Sequence, residues 1–229
     1  MSEMLIVALD FPTADQALHF IEPLSPDDCI LKVGLQLYVA SGPQFVKRLV
    51  DSGFKVFLDL KFHDIPNTVA GACQSAADLG VWMMNVHAGG GPVMLDAAAK
   101  SLASYEKPPI LIAVTVLTSM NQAQLGATGV STSPEAQVKR LAALTAEQGL
   151  DGVVCSAQES AMLREQQGQD FVLVTPGIRP LGSEQGDQQR IMTPQDAKQA
   201  GSSYIVVGRP ITAATNPLAV IKSINDSLR

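Results

Sequence analysis

The chain has 229 residues, 46% hydrophobic and only 5% aromatic, which suits one large domain or two small ones with an aliphatic core. Sixteen basic against 22 acidic residues leave a net charge of −6, which argues against a nucleic-acid surface, so any bound anion must be held by a few local cations and backbone N–H groups. Cys29, Cys73 and Cys155 are odd in number and lack a C-x-x-C spacing, which argues against a disulfide framework or zinc site. With no signal-peptide pattern and no apolar run of membrane-spanning length, a cytoplasmic location without membrane attachment is expected.

Eight short aliphatic runs recur along the chain, at 4–9, 29–34, 55–60, 81–86, 109–116, 152–155, 171–175 and 204–207. Segments of helical periodicity separate them, at 14–21, 43–50, 69–79, 92–103, 134–148, 160–165, 194–200 and 217–228. Asn67, Ser133 and Thr193 are N-capping types, and Pro134 and Pro194 follow two of them at the first helical position. Gly53, Gly80, Gly149 and Gly201 stand where helices end.

Eightfold strand–helix alternation implies a parallel sheet with both faces covered, and the repeat number favours an α/β fold of the (β/α)8 TIM-barrel type, a single domain over 1–229. A doubly wound sheet is the alternative, but the first strand runs into Leu9-Asp10-Phe11-Pro12 without the glycines of a dinucleotide-binding turn. The connections 117–133 and 177–193 are long and polar, and a barrel would place both on its catalytic face.

Active sites of such barrels lie at the C-terminal ends of the strands. Those ends carry Asp10, Lys32, Asp59 with Lys61, His87, Thr115 with Thr118, Thr175, and Gly208 with Arg209. Alternation along a strand points Asp59 and Lys61 the same way, with Phe57 one layer deeper. An Asp and a Lys together in a barrel mouth are costly to desolvate unless paired, and spacing alone also fits a buried ion pair without chemistry. Lys32 on the neighbouring strand and Asp64 three residues beyond Lys61 make four alternating charges, the pattern of a site. Val206-Val207-Gly208-Arg209-Pro210, with Arg179 and Gln188 from the preceding connection, reads as a phosphate cradle. Gly89-Gly90-Gly91 reads as a tight turn, and no histidine cluster with metal spacing occurs, so no metal or organic cofactor is expected.

The run Asp59-Leu60-Lys61-Phe62-His63-Asp64-Ile65-Pro66-Asn67-Thr68 resembles the signature of the orotidine 5′-phosphate decarboxylases, in their short bacterial branch. The resemblance extends through Ala8-Leu9-Asp10, Leu31-Lys32-Val33-Gly34, Asn85-Val86-His87-Ala88, Val114-Thr115-Val116-Leu117-Thr118-Ser119, Thr175-Pro176-Gly177-Ile178-Arg179 and Gly208-Arg209-Pro210, in order along the whole chain. It implies a cofactor-free carboxy-lyase acting on orotidine 5′-monophosphate, and a homodimer with both sites at the interface. Lys61 would be the proton donor and Asp59 would stand beside the substrate carboxylate. Asp10 and Lys32 would hold the ribose hydroxyls, with Lys32 also paired to the aspartates, and Thr118 would meet the pyrimidine edge. Gln188, Arg179, Gly208 and Arg209 would hold the phosphate, while Asp64, Ile65 and Thr68 would reach the partner subunit's site.

Two other readings compete. A metal-dependent sugar-phosphate decarboxylase or aldolase of the same superfamily would carry an acidic ligand where this chain has Lys32. A non-catalytic phosphate-binding barrel would not need the Asp–Lys–Asp constellation.

Overall fold

The computed structural model describes residues 4–180 and 192–229. Its strands are β1 (Leu5–Ala8), β2 (Ile30–Gly34), β3 (Val56–Phe62), β4 (Met83–His87), β5 (Ile110–Val114), β6 (Gly152–Val154), β7 (Val172–Thr175) and β8 (Tyr204–Val207). They pair in parallel in sequence order, and β1 closes on β8 through Leu5↔Ile205, Ile6↔Val206 and Val7↔Val207. That closure decides between the two expected architectures in favour of the barrel.

The strands read as unbroken apolar runs because both of their faces are buried. Ile6, Ala8, Ile30, Phe57, Met83, Ile112, Val174 and Val206 point inward and fill the barrel, while Leu5, Val7, Leu31, Val33, Val56 and Leu58 point outward into the larger core under the helices. Phe57 is 1% exposed and plugs the interior beneath the third strand's polar end.

The helices are α1 (Ala14–Ile21), α2 (Leu35–Asp51), α3 (Pro66–Asp78), α4 (Pro92–Leu102), α5 (Gln122–Ala127), α6 (Pro134–Glu147), α7 (Ser160–Gln167), α8 (Pro194–Gln199), α9 (Arg209–Thr212) and α10 (Pro217–Ser227). Ser133 and Thr193 cap α6 and α8 as expected, each accepting a backbone N–H at 3.1 Å.

Three local expectations need correction. Asn67 is not a cap: Ile65 precedes Pro66, which starts α3, so Asn67 lies in the first turn. The second helix starts at Leu35 rather than at residue 43, and its axis breaks at Gly42 (φ 70°, ψ −177°) just before Pro43. The connection 117–133 is not all loop, because Asn121 and Gln124 form a reciprocal capping box that starts α5. Among the described residues, no helix is long and apolar enough to cross a membrane.

One glycine sets how closely β6 and β7 approach. A Cβ built on Gly152 would lie 2.0 Å from the Val172 carbonyl oxygen. Replacing Gly152 by alanine therefore forces two barrel strands apart. We expect Gly152→Ala to cost about 3 kcal/mol of stability in a denaturant melt, while Gly126→Ala, with open space around its Cβ position, costs none.

Candidate active site

β3 carries the centre of the site, and its geometry is not the simple alternation expected. Phe57 points into the barrel and Asp59 rises above it into the mouth. At Lys61 the backbone turns to φ 54°, the one positive φ of a non-glycine among the described residues. The register with β4 jumps there: Leu58 pairs with Met84 and Phe62 with Val86, so four residues on β3 advance against two on β4. Such a bulge re-aims a side chain. A left-handed lysine costs about 1–2 kcal/mol, and its N–H is held by a 2.8 Å bond to Asn85 Oδ1.

Four charges alternate across the rim. Asp59 Oδ1 receives the Lys61 ammonium at 2.6 Å, and Asp59 Oδ2 faces Lys32 Nζ at 3.2 Å. Lys32 Nζ also reaches Asp10 Oδ1 at 3.4 Å. Asn85 Nδ2 donates to Asp59 Oδ1 at 2.8 Å. The side chains of Lys32 and Asp59 are only 10% and 13% exposed, whereas Asp10 is 62% exposed.

Burial by itself would drive Lys32 towards its neutral amine, but the carboxylates of Asp59 and Asp10 outweigh it and hold its pKa above the ordinary value. Burial would likewise favour protonated Asp59. The two ammonium groups and the bonds from Lys61 and Asn85 prevail, so its carboxyl titrates below the usual carboxylate range. Asp59 therefore stays ionised down to acid pH and Lys32 stays protonated into the alkaline range. Gly34 gives the cluster room, because a Cβ there would come within 3.1 Å of Lys32 Nζ.

These groups line one flank of a cleft of about 550 Å³. Its floor is apolar, made by Val114, Val154, Val174 and Val206, a surface suited to a flat ring. Thr118 and Gln36 border it, and Gln36 is a lining residue that the sequence reading did not single out. Arg179, Gly208 and Arg209 form the far wall. The Arg179 guanidinium is buried, which with the neighbouring Arg209 charge pushes its pKa down. Its backbone is fixed by an N–H bond to Met192 O at 2.9 Å, and Nη1 donates to Ile178 O at 3.0 Å. Two guanidinium groups at one wall call for an anion between them. Gln188, the fourth phosphate residue expected, lies outside the described residues.

Other expected residues face elsewhere. Asp64 does not join the four-charge chain; its Oδ1 accepts the Ile65 N–H at 2.6 Å. Asp64 and Ile65 line a separate shallow depression with His63 and Gly89, and Ile65 is 68% exposed. Thr68 lies in a small hollow beside Asp64, behind Lys61.

Thr115 and Thr175 stand at strand ends but point outward. Their hydroxyls donate to Val154 O at 3.0 Å and to Ser202 Oγ at 3.0 Å. His87 stacks on His63 with ring centroids 5.1 Å apart, and its Nδ1 accepts the Gly89 N–H. Burial, then the charges of His63 and Lys61, push His87's pKa down. The thiols of Cys29 and Cys73 are raised to about 12 chiefly by burial, so neither is a thiolate nucleophile at neutral pH.

Asn85, quoted above only as part of a family motif, received no role from the sequence, although a signal was present. It is a lone carboxamide within the apolar strand Met83-Met84-Asn85-Val86, and it is fully buried. A polar group is rarely placed so unless it is bonded at both ends.

Known proteins resemble this chain in sequence and in fold. The chain is 60% identical over 225 residues to the orotidine 5′-phosphate decarboxylase of Psychromonas ingrahamii, covering 98% of this chain and 96% of that one. It is 58% identical over 229 residues to the protein of the same name from Vibrio parahaemolyticus, covering 100% and 98%. The crystal structure of orotidine 5′-phosphate decarboxylase from Lactobacillus acidophilus superposes with a TM-score of 0.89 at 40% identity, covering 99% of both chains. The family model described as orotidine 5′-phosphate decarboxylase / HUMPS matches residues 3–224. On its fold, its rim of alternating charges and this full-length similarity, the chain belongs to the orotidine 5′-phosphate decarboxylase / HUMPS family.

Proposed function

We propose that this chain is a cytoplasmic carboxy-lyase that converts orotidine 5′-monophosphate to uridine 5′-monophosphate and CO2 in pyrimidine biosynthesis. The observation that carries the reading is the placement of the Lys61 ammonium, bonded to Asp59, at the edge of an apolar-floored cleft with two arginines on its far wall. That spacing suits a nucleotide whose phosphate lies at Arg179 and Arg209. Its ribose hydroxyls meet Asp10 and Lys32, its ring lies over the valines with an edge at Thr118, and its carboxylate stands at Asp59.

Breaking the ring–carboxylate bond leaves an electron pair on a ring carbon with no carbonyl placed to delocalise it. The site must then stabilise that pair electrostatically and protonate it. The Lys61 ammonium serves both needs: its charge faces the forming carbanion, and one N–H bond breaks as the new C–H bond forms. Asp59 next to the substrate carboxylate adds repulsion, about 4 kcal/mol for two charges 4 Å apart at an effective dielectric of 20. The repulsion ends when CO2 leaves. Contacts at the remote phosphate supply binding energy away from the reacting carbon.

The same reading makes the enzyme a homodimer. Asp64, Ile65 and Thr68 of each copy complete the other's cleft, which accounts for the exposure of Ile65 and for Asp64 standing apart from its own charge chain. A metal-dependent reading is disfavoured by Lys32, whose ammonium 3.2 Å from Asp59 occupies the position where a divalent ion would need a ligand.

The deciding assay follows the loss of orotidylate absorbance with EDTA present. Turnover unaffected by chelator is expected, whereas loss of activity restored by magnesium would favour the metal-dependent relative, and no turnover at all a mere binding barrel. Lys61→Ala should lower kcat by at least about 10⁴-fold while the affinity for uridine 5′-monophosphate holds. Arg209→Ala should lower kcat/KM for the nucleotide by about thirtyfold, the worth of one charge-assisted bond. The slow turnover of the phosphate-free nucleoside should not change, and equal losses for both substrates would move the phosphate elsewhere.

A further inference from the structure

We propose that Asn85 is a positioning residue for the proton donor, its carboxamide setting both the backbone at Lys61 and the carboxylate that the Lys61 ammonium touches. The inference rests on the reading of Lys61 as the acid and adds the group that aims it. Asn85 is wholly buried and does not border the cleft, so it touches neither substrate nor product.

Its two ends are used with opposite polarity. Oδ1 accepts the Lys61 N–H at 2.8 Å, and Nδ2 donates to Asp59 Oδ1 at 2.8 Å. The same Asp59 oxygen receives Lys61 Nζ. Main chain and side chain of Lys61 are thereby tied into one ring that runs through a single amide.

The ring coincides with the left-handed φ at Lys61 and with the register jump between β3 and β4. Without the bond to its N–H, Lys61 has no reason to keep a conformation that L residues avoid. It would relax towards the strand, and the ammonium would swing with it. Packing does not explain the residue either, since Met83, Met84 and Val86 around it on the strand are apolar. Only a planar group with one acceptor and one donor makes both bonds. Serine offers one atom, aspartate lacks the donor unless protonated, and glutamine is a methylene longer.

The test compares Asn85→Ala and Asn85→Asp with the wild-type enzyme. Asn85→Ala should lower kcat about 100-fold, the scale of a 1 Å misplacement of a catalytic group, while KM stays within about threefold. Exchange of the product's ring hydrogen for deuterium, the protonation step run in reverse, should slow in parallel. In Asn85→Asp, the new carboxyl faces Asp59, and the like charge raises its pKa. Once protonated, it restores both bonds through its carbonyl and its O–H. Its kcat relative to wild type at the same pH should therefore climb as pH falls.

Wild-type kcat in Asn85→Ala, or a change confined to KM, would overturn the proposal. If the alanine variant does not fold, Asn85→Asp decides, and a ratio flat with pH overturns it. Inactive Lys61→Ala beside wild-type-like Asn85→Ala would sink this inference alone, whereas active Lys61→Ala would sink the reading beneath it.

Discussion

The carboxylate of Asp59 sits between two ammonium groups, Lys32 at 3.2 Å and Lys61 at 2.6 Å, and the rest of the rim is built around that contact. Two lysines converging on a barrel mouth would repel each other, and a carboxylate so nearly buried would take up a proton if it stood alone. Each charge is tolerable only because the others are present. The surrounding sequence follows from this requirement. Gly34 has no side chain because the Lys32 ammonium occupies the space, and Asn85 is polar because Asp59 needs a further donor.

The barrel separates two kinds of interaction by a hydrophobic floor. On one side, fixed charges face the carbon that would react; on the other, two arginines face a group that would not. The valines between them form an apolar floor, and charges beside such a surface interact more strongly than in open water. Strands rather than loops carry Lys32, Asp59 and Lys61, and the main chain of β3 is bonded on both sides by β2 and β4. Such support keeps charged groups in place without reorganisation during a reaction.

Part of this was legible from residues alone. Aliphatic runs gave the eight strands because both faces of a parallel sheet are buried, and Ser133 and Thr193 marked helix starts because their hydroxyls satisfy orphan N–H groups at short range. That Lys32 shares the rim with Asp59 followed from their places at neighbouring strand ends, while its pairing to the carboxylates was implied only by the family resemblance. Thr115 and Thr175 were harder, since strand ends name a rim but the pleat decides which side faces the cleft. The helix α5 was missed because six residues carry too little periodicity to register, although its capping box was there to find.

What the sequence by itself determined is the set of local choices: which segments are strands, where most helices begin, and which charged residues share a rim. These depend on contacts within a few residues. The tertiary structure alone decided the closure of β1 on β8, the left-handed turn at Lys61, the burial of Asn85 beside it, and the absence of Asp64 from the charge chain. The first three are set by groups 24 or more residues apart. A lysine leaves the strand conformation only when a distant amide holds its N–H, and no pattern along β3 encodes that partner.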